Sequence, residues 1–283
     1  MSKSFLNKRI AVLGGAGSIG SALCRKIAEK NPQLLIIIDQ NESALFELYE
    51  ELKKNNVHYI LANIRDRLCL RDIFYKYKPH IVYHAAALKH VKVCEDYPYE
   101  AIKTNIDGTL NLAELAVANK VEKFIFISSD KAVNPTSVMG STKAEGEKIC
   151  LELNGKTKFI VVRFGNVMAS VGSVVPIFQK AISENRDLIV THKKMQRYFM
   201  GIYEAVDLIL EATRLGKGGE IFVMDMGKPI FITELANLMI KLSGKPLNIR
   251  YSKVTKGEKF EEELMSKEEK EVAKKVGKLW IIK

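Results

Sequence analysis

Four residues in succession, Ser128, Ser129, Asp130 and Lys131, follow the apolar run KFIFI. A carboxyl group beside an amine can work as an acid and a base, provided the surroundings keep Asp130 protonated and Lys131 neutral. A proton next to a ketone is acidic enough for such a base, and a departing hydroxyl needs such an acid. Read alone, Ser129-Asp130-Lys131 is better explained as a polar turn. Further on, Met139 and Lys143 stand four residues apart in a helical pattern and share a face. A helix lysine is usually solvated. Met139 has no ionisable proton, so it packs and cannot act as a base.

A second constellation lies near the start. VLGGAGSIGSAL sets Gly14, Gly17 and Gly20 at Gly-x-x-Gly-x-x-Gly spacing, between an apolar run and a helix that opens with Ser18 and Ile19. Glycines allow the tight turn there, and the helix start offers free N–H groups to a pyrophosphate. Three glycines are a weak signal by themselves. Asp39, at the end of the next apolar run, strengthens it, because a carboxylate there accepts hydrogen bonds from an adenosine ribose. The plainer reading of Asp39 is a residue near a helix N-cap. A carboxylate repels a 2′-phosphate and no arginine follows in DQNES, so NAD is expected over NADP.

Stepping from these residues to the elements that must hold them, the chain alternates strand and helix patterns. Strands are expected at 9–15, 34–39, 58–66, 80–87, 123–129 and 158–167. Helices are expected at 18–30, 42–55, 69–77, 99–120 and 138–153. Buried strands alternating with helices of this length indicate βαβ units in an α/β, Rossmann-type, doubly wound parallel sheet. Residues 1–167 form the dinucleotide-binding domain in this reading. Residues 168–283 form mainly a smaller substrate-binding lobe, with room for the chain to cross back into the sheet. The helices 203–215 and 232–244 and the strand 219–227 are assigned to that lobe.

Composition narrows the function. The 283 residues are 47% hydrophobic and can bury a large core. No run approaches the roughly 18 apolar residues of a membrane span, and MSKSFLNKRIAVLGG lacks a signal-peptide pattern, so a cytoplasmic protein is expected. Cys24, Cys69, Cys94 and Cys150 are far apart, without Cys-x-x-Cys or a histidine at metal spacing. They read as buried apolar residues in a reducing compartment, with no metal site. The formal charge of +11 comes from dispersed lysines and no nucleic-acid module is present. A basic surface equally suits an enzyme that attracts a dianionic nucleotide-sugar.

The segments NIRD, HAAALKHV, TNIDGTLNL, SSDKAVNPTSVMGSTKAEGEK, VRFGNVMASVGSVVPIF, RYFMGIYEA and GEKFEEEL occur in order along nearly the whole chain. Together they resemble the UDP-N-acetylglucosamine 4,6-dehydratases of the extended short-chain dehydrogenase/reductase superfamily. The resemblance implies a tightly held NAD that oxidises the sugar at C4. Water then leaves across C5–C6, and the hydride returns to C6 to give a UDP-4-keto-6-deoxy-HexNAc. By the same resemblance, Asp130 is the acid at C6, Lys131 the base at C5, and Lys143 the lysine that holds the nicotinamide ribose. Met139 stands where the superfamily has its catalytic tyrosine, so the C4 proton must leave through Ser129, Asp130 or a water held by Lys143. Relatives with this methionine carry a membrane-spanning N-terminal region, and this chain resembles only their soluble catalytic part.

Other positions follow from the resemblance. Asn63 and Ile64 belong to the cofactor site, Ala85 and Ala86 back the nicotinamide, and Lys89 contacts the sugar nucleotide. Asn166, Thr191, Arg197 and Glu258 embrace the UDP-sugar, although Arg197 reads nearly as well as a surface ion pair. Asn105 suits a buried amide supporting the active-site strand, and His84 and His90 read as structural. Where relatives have Arg-Pro-Gly-Glu-Lys, this chain has Thr255-Lys256-Gly257-Glu258-Lys259, which bears on the nucleotide or sugar. The family also implies a homo-oligomer that pairs the helices 99–120 and 138–153. Two other functions compete: a nucleotide-sugar 4-epimerase, which has no use for an acid–base pair at C6, and a non-catalytic NAD(H)-binding scaffold. Methionine leans toward retention at C5.

Overall fold

A computed structural model describes residues 5–168 and 170–283. The first half winds in order through β1 (Arg9–Leu13), α1 (Ser18–Ala28), β2 (Leu34–Asp39), α2 (Glu42–Glu51), β3 (Val57–Leu61) and α3 (Arg67–Tyr77). It continues through β4 (Ile81–His84), α4 (Val91–Asp96), α5 (Pro98–Ile102), α6 (Gly108–Ala118), β5 (Lys123–Ile127), α7 (Val138–Glu152) and β6 (Lys158–Arg163). These strands pair in parallel in the order β3-β2-β1-β4-β5-β6. The order reverses between β1 and β4, which opens a crevice at the carboxyl ends of the strands.

The apolar runs are strands because both faces of the sheet are covered. One face packs Leu23 and Ile27 of α1, Leu48 of α2 and Ile209 of a later helix. The other packs Phe74 of α3, Leu112 of α6 and Ile149 of α7. This is the doubly wound α/β fold that the alternation implies. Cys24, Cys94 and Cys150 are buried and all four cysteines are free thiols. Among the described residues, no helix is long and apolar enough to cross a membrane.

Two expectations need correction. The helix expected over 99–120 is two helices, α5 and α6, joined by a π turn over Lys103–Asp107. Pro98 starts the first of them without needing an N–H donor. The π turn admits an extra residue and sets Asn105 against Leu88 and Thr142. Its Oδ1 accepts from Leu88 N at 2.8 Å, and its Nδ2 donates to Leu88 O at 2.9 Å and Thr142 Oγ1 at 3.0 Å. Asn105 is thus the buried, fully engaged amide expected from its position. Gly108 lets α6 close on the sheet, because a Cβ there would lie 2.7 Å from Ile64 Cδ1.

The second correction concerns the lobe. The strand Glu220–Met224 pairs in parallel with β6, and the helix Ile202–Leu215 packs on the main sheet beside α1. Both complete the sheet because their apolar residues fit the face that β6 would otherwise expose. The hairpin of Lys274–Val276 and Leu279–Ile282 then adds two antiparallel strands at that edge. The lobe is smaller: the helices Val174–Ser183 and Ile232–Ser243 close over Leu188, Val190 and Met195 as a separate apolar cluster. Its strand Leu188–Val190 pairs with Ile249–Tyr251. The short bridge Phe199–Met200 to Asn166–Val167 ties lobe to sheet.

Candidate active site

The glycine turn forms one wall of the crevice. Gly14 has a φ of 74°, and a Cβ there would lie 2.5 Å from Ala86 N. A Cβ on Gly20 would lie 2.0 Å from Gly14 O. Turn, helix and the exit of β4 therefore approach so closely that only glycine fits. Gly17 is the N-cap of α1 and supplies no side-chain cap, which leaves first-turn N–H groups for an anion. Ser18 and Ile19 open the helix, and Ala85 and Ala86 lie against Gly14.

Asp39 does more than its sequence position suggested. Its Oδ2 accepts from Ala16 N at 2.9 Å and its Oδ1 from Asn41 N at 3.0 Å, so it braces the turn while facing it. Asn41 is the residue that caps α2. Asn63 bonds Gln40 Oε1 at 2.8 Å and Arg65 N at 2.9 Å, and Ile64 is buried behind it. Arg65 is committed elsewhere, to Thr104 Oγ1 at 2.9 Å and Glu100 Oε2 at 2.6 Å.

The ladder between β5 and β6 runs on past both strands. Ser128 N donates to Val162 O at 2.8 Å and Asp130 N to Phe164 O at 3.0 Å. Ser129, Asp130 and Lys131 are thereby held by the sheet itself, in a short 3₁₀ turn that Ser129 caps. Asp130 is fully buried, and its Oδ1 accepts from Ser129 Oγ at 2.8 Å and Lys131 Nζ at 3.0 Å. Its Oδ2 has no partner among the described residues and packs where a Cβ on Gly165 would come within 3.0 Å. Buried oxygens are normally satisfied, so this one departs from ordinary core packing. Lys131 Nζ also lies 3.4 Å from Asn166 Oδ1 and 3.5 Å from Glu262 Oε1. Burial works to lower the pKa of Lys131, but Asp130 and Glu262 outweigh it and hold the ammonium above its ordinary value. Lys131 is therefore charged in this arrangement and not the neutral amine that the sequence reading required.

Lys143 is nearly buried, donates to Ile127 O at 2.5 Å and lies 4.2 Å from the centre of the Phe126 ring. Desolvation lowers its pKa to about 8, against the opposing charge of Glu147. Met139 packs with Cys94 and Ala101. It is a core residue at the site's edge.

Arg197 is buried and engaged: it donates to Gln196 O at 2.8 Å and pairs with Glu258 Oε1 at 3.2 Å. Lys89 reaches Ser170 Oγ at 3.5 Å, and burial lowers its pKa. Val171 N donates to Ser18 Oγ at 3.0 Å, which lays the segment after β6 across the start of α1. Thr191 is half-buried after the lobe strand, outside the hydrogen-bonded set around Lys131. His84 is buried against Thr109 Oγ1 at 2.8 Å, with its pKa lowered to about 3 by burial and Lys143. His90 lies against Gly172.

Three participants were missed in the sequence. Glu262 sits inside a run of three glutamates, which offers no alternation to mark the inward one. Glu147 and Arg163 form a buried pair at 2.6 Å, and Glu147 also takes a hydrogen bond from Ser128. Signals for this pair existed: Glu147 lies four residues after Lys143, and Arg163 ends an apolar strand, where an unpaired charge would be costly.

Comparison with known proteins gives a consistent result. The family model described as polysaccharide biosynthesis protein matches residues 10–283. The capsular polysaccharide biosynthesis protein CapD of Staphylococcus aureus is 44% identical over 280 residues, which cover 95% of this chain and 47% of CapD. This chain thus spans about half the length of that relative. A UDP-glucose 4-epimerase of Rickettsia bellii (strain OSU 85-389) is 35% identical over 98% of this chain and 83% of its own. The crystal structure of Pen from Bacillus thuringiensis superposes with a TM-score of 0.93 at 35% identity, covering 98% of this chain and 88% of Pen.

The buried Lys143 gives a pH test. In the folded chain it releases its proton near pH 8, while the unfolded chain keeps it to about 10.5. Between those values the unfolded state binds more protons, so stability rises with pH. In urea unfolding, the wild type should gain on Lys143→Met from pH 8 up to 10.5. A difference that stays flat across this window contradicts the buried, depressed lysine.

Proposed function

This chain belongs to the polysaccharide biosynthesis protein family, and from that premise we propose that it is an NAD-dependent 4,6-dehydratase of UDP-N-acetylglucosamine. The observation that carries the reading is the buried Asp130–Lys131 pair, bonded to Ser129 and set at the carboxyl edge of the sheet. An epimerase has no use for that pair. The 35% identity to a protein named UDP-glucose 4-epimerase keeps epimerisation as the second reading.

The cradle fits a dinucleotide. Gly14 and Gly20 let the turn, α1 and the exit of β4 close together, the uncapped start of α1 would offer N–H groups to the pyrophosphate, and Asp39 at the end of β2 would bond the ribose. Bound there, NAD would take a hydride from the sugar's C4 and return it to C6. Lys143 would hold the nicotinamide ribose. Ser129 already donates to Asp130 at 2.8 Å, so the proton of the C4 hydroxyl has a path through Ser129 to the Asp130 carboxylate. Asp130, now a carboxylic acid, gives that proton to the C6 hydroxyl as water leaves. This path makes a tyrosine unnecessary, and Met139 closes the wall beside it. Asn166, Arg197, Glu258, Lys89 and Thr191 would hold the UDP-sugar, the reaction would proceed with retention at C5, and the protein would work in the cytoplasm. A homo-oligomer completes the proposal, because α6 leaves Leu110 and Val117 exposed.

Incubation with UDP-N-acetylglucosamine should yield a product lighter by one water, with a 4-keto group by NMR; an unchanged mass with inverted C4 would establish the epimerase instead. Asp130→Asn or Lys131→Met should each cost roughly 10²–10⁴ in rate, and the double change little more. Met139→Leu should cost under about 1.5 kcal/mol in stability and keep activity. Loss of activity in Met139→Leu as complete as in Lys131→Met would give the methionine a chemical role.

NAD should bind more tightly than NADP by isothermal titration. Asp39→Asn, which removes the charge and keeps an acceptor oxygen, should narrow the gap. Tighter NADP binding to the wild type would refute the assignment.

Light scattering at micromolar concentration should give at least the dimer mass. Leu110→Glu combined with Val117→Glu should shift it to the monomer, and a monomeric wild type would end the oligomer proposal.

A further inference from the structure

Glu262 lies on no element that the sequence marked, yet it completes the surroundings of Lys131. It is 3% exposed, while Glu261 and Glu263 on either side are exposed and bond Gln196 and Asn134. Its Oε1 is 3.5 Å from Lys131 Nζ, and its Oε2 is buried without a partner among the described residues. Lys131 Nζ donates to Asp130 Oδ1 at 3.0 Å and Asn166 Oδ1 at 3.4 Å, and Glu262 faces it as an ion pair. Two buried carboxylates share one cation.

We propose that Glu262 is a positioning residue that acts through Lys131, taking the lysine's proton so that Lys131 can accept the one on C5 of the sugar. This rests on the dehydration reading above and follows from a count of protons. Two must leave the sugar before C6–O breaks, one from the C4 hydroxyl and one from C5. Asp130 has room for the first. Lys131, resting as an ammonium, has room for the second only if it passes its own proton to another carboxylate. Glu258 is taken up by Arg197, and Glu262 is the carboxylate in contact with Lys131.

The steps balance. Asp130 carboxylate gains the C4 hydroxyl proton through Ser129. Lys131 ammonium passes a proton to the Glu262 carboxylate, leaving a neutral amine and a carboxylic acid. The amine takes the C5 proton, and the electron pair of the C5–H bond moves into the C4 enolate. Asp130 returns its proton to the departing C6 hydroxyl. Glu262 and Lys131 hand the remaining proton back to C5 as the hydride reaches C6. All three groups end in their starting states. The other charges facing Lys131 are Arg197, which opposes its charge, and Lys259, which lines the same cleft with Val91, Ser137 and Gly257.

The test is Glu262→Gln in the full chain with UDP-N-acetylglucosamine. The expected result is a loss of roughly 10² or more in kcat with little change in KM. Reduced nicotinamide should accumulate by absorbance, and deuterium from solvent should stop entering C5. Glu262→Asp, which keeps a carboxylate, should recover part of kcat and of the C5 exchange. In the ligand-free protein, the ¹⁵N-labelled Lys131 Nζ should titrate at lower pH in the Gln variant. A kcat within about threefold of wild type overturns the proposal, and so does a slow variant that still exchanges C5. If Glu262→Gln fails to fold, Glu262→Asp decides: slowed C5 exchange at an unchanged KM supports the proposal, and wild-type exchange overturns it. A wild type that makes no dehydrated product fails the dehydration reading itself, and the Glu262 role falls with it; a productive wild type with an unaffected Gln variant removes Glu262 alone.

Discussion

The geometry of the site depends on one buried carboxylate, Glu147. It takes a hydrogen bond from Ser128 and two from Arg163, at 3.0 Å and 2.6 Å. Arg163 in turn holds Glu269 at 2.9 Å, at the start of the C-terminal helix Lys267–Val272. Glu147 therefore joins the middle of α7, the end of β5, the end of β6 and a segment more than a hundred positions away. Removing one member of such a network would strand a buried charge, which costs about 3–5 kcal/mol. Because Ser128 is fixed at this point, the next three residues emerge into the crevice in one orientation only. Lys143 lies one turn before Glu147 on the same helix, so the carboxylate that locates the acid–base turn also acts on the charge of that lysine.

Much of the fold was legible because its cause is local. Ile36, Ile37 and Ile38 must be covered on both faces, and only a parallel sheet between helices covers them. Gly14 and Gly20 announced a close approach that the structure contains. The misreadings share a different cause. The run 99–120 is continuous in helical pattern, and nothing in a one-dimensional period shows that Asn105 will bind a backbone segment seventeen positions earlier. Likewise the strand Glu220–Met224 carries an apolar run that fits any buried sheet. Its pairing with β6 is decided by long-range packing.

The candidate site divides in the same way. Ser129, Asp130, Lys131 and Lys143 were singled out by a family resemblance, since read alone the first three are a polar turn and the last a helix lysine. Glu262 was not, because its chemistry exists only when the segment 257–263 folds over the turn 133–138. Thr136 Oγ1 donates to Gly257 O at 3.1 Å there, and Lys259 Nζ donates to Val133 O at 2.8 Å. Gly257 has a φ of 79°, and a Cβ on it would come 2.8 Å from Ser137. Sequence separation hid the contact, although the residue type was visible.

This docking has a consequence for how the chain divides its labour. The cofactor cradle is built from short-range units, β1 with α1 and β2 with its following turn. The proton-handling set is not. Asp130 and Lys131 come from the sheet, Asn166 from the segment leaving it, and Glu262 from the far end of the lobe connection. Asp130 and Glu262 both favour the Lys131 ammonium against the cost of its burial. If the segment 257–263 lifts, Lys131 exchanges one of its two counter-charges for water, so the position of that segment sets which carboxylates face the amine. A site assembled this way is complete only when the lobe is seated, and Arg197 with Glu258 sits at the same seam. In the proposed reading, Arg197 holds the UDP-sugar while paired to Glu258 on the segment that brings Glu262 to Lys131, so substrate binding and the acid–base pair would share one seam.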